Sequence, residues 1–292
     1  MKIYNCLKKM FFLQLILIFC GYTETSLLEE IIAGIRYNNS LIKNWRAICK
    51  INVENEKKET IKEEELWAKK GDKIYREKRK ENGEISYVVS FDGENLRIWG
   101  NNKKGLIKVP TDDDLKRAFY NISSPLFLYE FVRFQNEPLI NFLSNKSENK
   151  EIKFRGEINL QNEKCYLIEV EVVKENLNSK YQFYLSQSYS FYPVKTIIRE
   201  KSKYGETQTI TTTTFQKLGN VIFPKKAVIE SFMNFTMSPF GNLEDYKGSS
   251  TYILEFDKIE INKDIPDNFF QIEFPKETKV WDDRIGVNYT IR

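Results

Sequence analysis

A chain of 292 residues with 14% aromatic side chains can bury a large core, and a formal charge of +4 gives no electrostatic case for a nucleic-acid partner. Histidine is absent, which removes His-based triads, His general bases and most zinc sites. Paired carboxylates are the acid–base chemistry that remains, and the candidates Asp112, Asp113, Asp114, Asp282 and Asp283 lie in helix starts or turns rather than on rigid elements. No catalytic residue, metal ligand or cofactor is assigned from the sequence, and the chain is read as non-enzymatic.

The N-terminus has the three regions of an export signal. Lys8-Lys9 precede the apolar run MFFLQLILIF, which leads into CGYTETS. The run is too short to span a bilayer, which takes about 20 residues. Residues 1–21 are therefore read as a removable leader, and the loss of Lys2, Lys8 and Lys9 with it leaves the mature chain close to neutral. Cys20, in LIFC-G, is a candidate lipidation site, although Phe19 occupies a position where the lipobox pattern uses Gly, Ala or Ser. Lipidation and ordinary cleavage nearby both stay open. Export permits a disulfide between Cys49 and Cys165, and two buried thiols are the other reading.

Ser26 to Tyr37 is expected to be a helix. Ser26 and Glu29 form an S-x-x-E capping box, and Leu27, Leu28, Ile31, Ile32 and Ile35 fall on one stripe suited to covering a sheet. Strands are expected over Trp45–Glu54, Glu63–Lys69, Lys73–Lys80, Ile85–Phe91 and Asn95–Trp99, with ENG (Glu81 to Gly83) and Asp92-Gly93 as hairpin turns. In KKGDKIYREKRKENGE, acids interleave with the Lys and Arg residues, which reads as a solvated outer face rather than a nucleic-acid patch.

The texture changes over 110–145. Three consecutive aspartates favour a helix start, and Ser124-Pro125 and Glu137-Pro138 place proline where a first turn tolerates it. The piece between them, with Leu126, Phe127, Leu128, Tyr129, Phe131, Val132 and Phe134, is apolar almost all round. Such a helix must be covered on every side. A lid pressed into a concave sheet meets that need, so Leu126, Phe127, Phe131 and Phe134 are the expected cavity and lid residues.

Strands then resume at Glu151–Glu157 and Lys164–Val173. Tyr181–Ser231 follows, with four runs rich in Val, Ile, Thr, Tyr and Phe divided by breaks too short for a crossover helix, so neighbours must be antiparallel. Their lengths, roughly 8–12 residues, exceed the usual 5–6. A last strand is expected at Thr251–Ile261. The tail DNFFQIEFPKETKVWDDRIGVNYTIR is expected to strap across one mouth of a barrel, with WDDRIG as a turn. Sequons at Asn121, Asn145 and Asn234 are within chance for an Asn-rich chain. The expected fold class is mainly β with an α insert, a strongly curved antiparallel sheet forming an unclosed β-barrel with helices on its concave side. No repeat or linker divides it, so 22–292 is read as one domain.

This order of elements resembles the LolA/LolB-like family. SFDGENLRIW is similar to that family's strand–turn–strand phrase before the helical insert. Pro193, Val194, Gly205, Ile222, Phe223 and Pro224 carry the likeness to its later hairpins, and FPKETKVWDDRIGVNY is similar to the ending of exported members. The resemblance implies an exported protein of the periplasm or cell envelope that shelters lipid or lipoprotein acyl chains beneath a helical lid. It also implies, as the alternative, an envelope sensor or scaffold with a membrane-bound protein partner. The family's strand arginine that contacts the lid has no counterpart that a motif places in this chain.

Overall fold

The computed structural model describes residues 27–55, 60–119, 139–145, 147–235 and 246–292. Cys20, Ser26 and the expected lid residues Leu126, Phe127, Phe131 and Phe134 lie outside them. The chain builds one 15-stranded sheet. Helix α1 (27–40) precedes β1 (Asn44–Asn55), β2 (Thr60–Lys70), β3 (Lys73–Arg79), β4 (Ile85–Phe91), β5 (Leu96–Gly100) and β6 (Lys104–Lys108). Helices α2 (Asp112–Phe119) and α3 (Leu139–Ser144) follow. Then come β7 (Lys150–Leu160), β8 (Glu163–Lys174), β9 (Leu177–Ser186), β10 (Tyr192–Ser202), β11 (Gly205–Leu218), β12 (Val221–Phe235) and β13 (Tyr246–Ile261). β14 (Lys279–Asp282) and β15 (Val287–Thr290) end the chain.

The spatial order is β15-β14-β6-β5-β4-β3-β2-β1-β13-β12-β11-β10-β9-β8-β7. The sheet is a curved, unclosed barrel with helices over its concave side. Two antiparallel meanders are joined by β1 and β13, which pair along nearly their whole length. Tight turns join β3 to β4 and β4 to β5, where Gly83 at φ 82° and Gly93 at φ 102° supply the left-handed backbone that the ENG and Asp-Gly turns need. One junction departs from the antiparallel rule. β14 runs parallel to β6, with Lys279 opposite Lys104 and Asp282 opposite Ile107.

Strand alternation sorts the apolar residues. On β7–β11 one face packs against α1 and α3, with Ile31, Ile35, Leu139, Leu143, Ile168, Phe183 and Leu185 buried. On β1–β5, β12 and β13 it packs against α2, with Trp45, Trp67, Val89, Leu96, Phe223 and Leu254 around Phe119. The stripe expected on the first helix is the buried one: Ile31, Ile32 and Ile35 are buried, with Leu27 and Leu28 packed beside them. Full burial of a side chain such as Ile31 or Ile35 contributes about 1.5–3 kcal/mol. Gly34 lets the helix sit close, since a Cβ there would stand 2.5 Å from Phe191.

A buried amide fixes α1 to the sheet. Asn38 Nδ2 donates to the Ile222 carbonyl at 3.1 Å and to Tyr192 Oη at 2.6 Å, while Ile222 N donates to Asn38 Oδ1 at 2.8 Å. The side chain thus stands in for a strand residue at the start of β12. Asn38→Ala strands a backbone N–H and C=O in the core and is expected to cost about 2–4 kcal/mol. Denaturant unfolding checks this, and a loss below ~1 kcal/mol would mean that water replaces the amide.

The tail differs from expectation. It does not strap across a mouth; it packs on the opposite face of β2–β5 and extends the sheet edge. Trp67 and Ala68, Ile74 and Tyr75, and Val89 and Val88 are neighbours in sequence, yet the first of each pair joins the α2 core and the second a separate cluster with Ile265 and Phe270. Neighbours on a strand point to opposite faces. Phe269, Phe270 and Ile272 therefore cover the outer face, where Phe269 lies 4.7 Å from the Tyr75 ring. β6, β14 and β15 are too short for their alternation to stand out in the sequence.

Candidate functional site

The stretch read as a solvated outer face is where the structure departs most from the sequence reading. Glu65, Arg76 and Glu77 are largely buried: the Glu65 side chain is 1% exposed, Arg76 11% and Glu77 8%. Alternation sends Arg76 and Glu77 to opposite faces, and each meets a partner there. On the outer face Tyr75 Oη donates to Glu77 Oε2 at 2.7 Å and Arg79 Nε to Glu77 Oε1 at 2.5 Å. Burial, with the Glu77 carboxylate adding, raises the Tyr75 pKa well above its ordinary value. Lys80 and Glu84, on the next turn, do lie in solvent.

On the inner face Arg76 forms a bidentate pair with Glu65, Nε to Oε2 at 3.0 Å and Nη2 to Oε1 at 2.6 Å. Trp67 Nε1 donates to Glu65 Oε2 at 2.7 Å, and the guanidinium lies 5.2 Å from the Trp67 ring centroid. The remaining arm matters for function, because Arg76 Nη1 reaches the Ala118 carbonyl at 3.5 Å. That carbonyl belongs to the last turn of α2, where unpaired C=O groups favour a cation. Phe119 beside it packs edge-on against Trp67 at 6.4 Å. One strand arginine therefore joins a buried carboxylate, an indole and the end of the helix that leads into the insert. Sequence reading missed Arg76. What places it is the register of β2 against β3, Glu65 with Lys78 and Leu66 with Glu77, which makes Arg76 the partner of Trp67.

Helix α2 starts where the triple aspartate predicts. Thr111 is its cap: Asp114 N donates to Thr111 Oγ1 at 3.3 Å, and Thr111 N and Oγ1 both donate to Asp114 Oδ2 at 2.8 Å. Lys108 and these two donors hold the Asp114 carboxyl far below the usual carboxylate range. Asp282 is held down likewise, first by Arg284. Both candidate acids thus have structural partners. Asp112 and Asp113 lie in the first turn of α2 and Asp283 in the β14–β15 turn.

A second region lies under α1 and α3. A cavity of about 490 Å³ opens there against β7 and β8, walled by Leu28, Ile31, Leu143, Ile152, Phe154 and Ile168. That volume falls within the range of small-molecule and cofactor sites. Lys150 stands at its rim, where the ammonium donates to the Phe142 and Asn145 carbonyls and lies 4.6 Å from the Phe142 ring centroid. The same alternation on β7 that turns Ile152 and Phe154 inward sends Glu151, Lys153 and Arg155 outward. The sequence-predicted cavity residues Leu126, Phe127, Phe131 and Phe134 lie outside the described residues. Among the described ones, the wall is built by α1, by α3 at the end of the insert and by the β7–β8 hairpin.

The cysteines are buried and unpaired with each other, Cys49 in the α2 core and Cys165 in the α1 core. Burial, with Glu65 adding, lifts the Cys49 thiol far above its ordinary pKa, and burial, with Glu163 adding, pushes Cys165 up to about 11. Neither is a ready nucleophile.

No protein-family model matches the chain, and no curated protein does. Among solved structures it is similar to an outer-membrane lipoprotein-sorting protein domain from Vibrio parahaemolyticus, at 9% identity and a TM-score of 0.47 over 83% of this chain and 97% of that one. It is similar to a DUF1329 family protein from Desulfovibrio piger, at 9% identity and a TM-score of 0.46 over 83% and 96% of the two chains. A LolA superfamily protein from Nitrosomonas europaea is similar at 11% identity and a TM-score of 0.42 over 82% and 96%.

Proposed function

We propose that this protein is a non-enzymatic, exported envelope protein that shelters lipid or lipoprotein acyl chains in its half-barrel. The observation that carries this reading is the apolar cavity under α1 and α3. Leu28, Ile31, Leu143, Ile152, Phe154 and Ile168 give it apolar walls, completed by Ser144, Asn145, Ser147, Lys150 and Glu151. An acyl chain needs apolar walls and little else, because about 0.8 kcal/mol per buried methylene is available without a directional contact. The position of Asp114 and Asp282 in structural pairs supports a binding role over hydrolysis. The basic-then-apolar leader supports export, with Cys20 as the candidate anchor. The apolar run with Leu126, Phe127, Phe131 and Phe134 lies in sequence between α2 and α3, which supports its assignment as the lid, and Arg76 serves as the sheet's hold on that lid's N-terminal helix.

Native mass spectrometry of protein purified gently from its own envelope tests this reading. A mass increment matching lipid is expected. A clean unliganded mass, with no uptake of fatty acid added afterwards, would sink it.

A further inference from the structure

We infer that the free end of the sheet around the β14–β15 hairpin is a docking surface for a basic, apolar-bearing extended segment of another protein. The proposal is independent of the acyl-chain reading and uses a different part of the fold.

Exposed apolar residues gather there. β6 and β14 run parallel, so Val109, just past β6, and Ile285, in the turn after β14, lie at the same end. They are 67% and 66% exposed. Val287 on β15 follows at 45%, with Trp281 and Tyr289 partly exposed behind it. Asp283 N donates to the Ile107 carbonyl at 2.8 Å, and Arg284 Nη1 donates to Asn95 Oδ1 at 3.2 Å. The hairpin is thereby tied to β6 and to the β4–β5 turn. Exposed apolar residues gathered at one tethered end of the sheet, rather than scattered singly, fit an interaction site.

The charge around it selects the partner. Four cations at this end are each held by a carboxylate: Lys108 by Asp114, Lys116 by Asp113, Arg97 by Asp92 and Arg284 by Asp282. Glu94, Asp112 and Asp283 are left with no ion pair among the described residues, and Arg117 lies further along α2. The surface is thus apolar and ringed by uncompensated negative charge, which matches lysine or arginine interleaved with aliphatic residues and disfavours an anionic bilayer.

The shape of the partner follows from the edge. β15 is the last strand of the sheet, and its outer side pairs with no strand among the described residues. The opposite edge, β7, is guarded by a bulge at Gly156, φ 94°, and by alternating charges. β15 carries neither device, and its residues Val287, Asn288, Tyr289 and Thr290 are uncharged. An extended segment can add to it through main-chain hydrogen bonds while its cations meet Glu94, Asp112 and Asp283.

Calorimetric titration with a ten-residue alternating lysine–valine peptide, and with its glutamate–valine counterpart, tests the inference on the whole mature protein. The lysine–valine peptide is expected to bind at least tenfold more tightly. Glu94→Lys with Asp283→Lys should erase that preference, and Ile285→Ser should weaken binding severalfold, all at surface positions that leave the core intact. Failure of the lysine–valine peptide to bind, equal binding of the two peptides, or indifference to the charge reversal would overturn the proposal. A dimer in solution that Ile285→Ser dissociates would assign the edge to a second copy instead. Sedimentation with phosphatidylglycerol vesicles that Ile285→Ser abolishes would assign it to the membrane.

Discussion

Arg76→Ala is expected to destabilise the protein by about 3–5 kcal/mol, the typical cost of leaving one member of a buried ion pair alone. Glu65 is 1% exposed, and the single N–H of Trp67, its remaining protein donor among the described residues, could not replace the guanidinium. Lysine at 76 should recover little, because a point charge cannot reproduce the bidentate fork or its packing on the indole. The double change Glu65→Leu with Arg76→Met removes both charges and should restore most of the stability, measured by urea unfolding. That variant isolates the latch. It keeps the core but leaves the Ala118 carbonyl without its donor, so acyl-chain uptake should become faster at equal stability. Unchanged uptake would reduce Arg76 to a structural residue.

That arginine also shows where sequence reading stops. The stripe of Ile31, Ile32 and Ile35 and the turns at Gly83 and Gly93 were legible because each is a local pattern with one physical solution. The longer strands were legible for the same reason, and the short breaks between Tyr181 and Ser231 forced antiparallel neighbours. Arg76 sits in the stretch read as a solvated face, and Glu65 lies eleven positions earlier. What buries them is the pairing of β2 with β3, which sets both on the face covered by α2, and a charge tally cannot see that register. The cavity escaped for a similar reason. Leu28, Leu143 and Ile168 belong to three separate elements, and their convergence depends on where α1 lands, fixed by Asn38 against a strand start 184 residues later. The parallel seat of β14 beside β6 joins distant segments of the chain with only four residues of pairing, too few for a hydropathy pattern.

The binding of fatty acids should show two different dependences on chain length. From water, each methylene that enters the cavity contributes about 0.8 kcal/mol, or roughly a fourfold gain in affinity, so four methylenes should separate dissociation constants by about 200-fold. From a bilayer the same methylenes leave an environment just as apolar, and the distribution between protein and vesicles should barely change with length. A protein with this profile can accept and release chains without an energy source, provided that no polar anchor fixes the headgroup. The walls meet that condition, with Ile152, Phe154 and Ile168 facing α1 and α3 and Lys150 engaged by backbone carbonyls at the rim. Leu28→Asp, on the half-buried stripe of α1, sets an unpaired carboxylate in the wall and should weaken the whole series more than tenfold while leaving the Asn38 anchor in place. Fluorescence displacement from water and partition against phosphatidylcholine vesicles give the two slopes. A flat series from water would show that the chain stays outside the cavity, and a steep series from vesicles would show a site tighter than a bilayer and unfit for release.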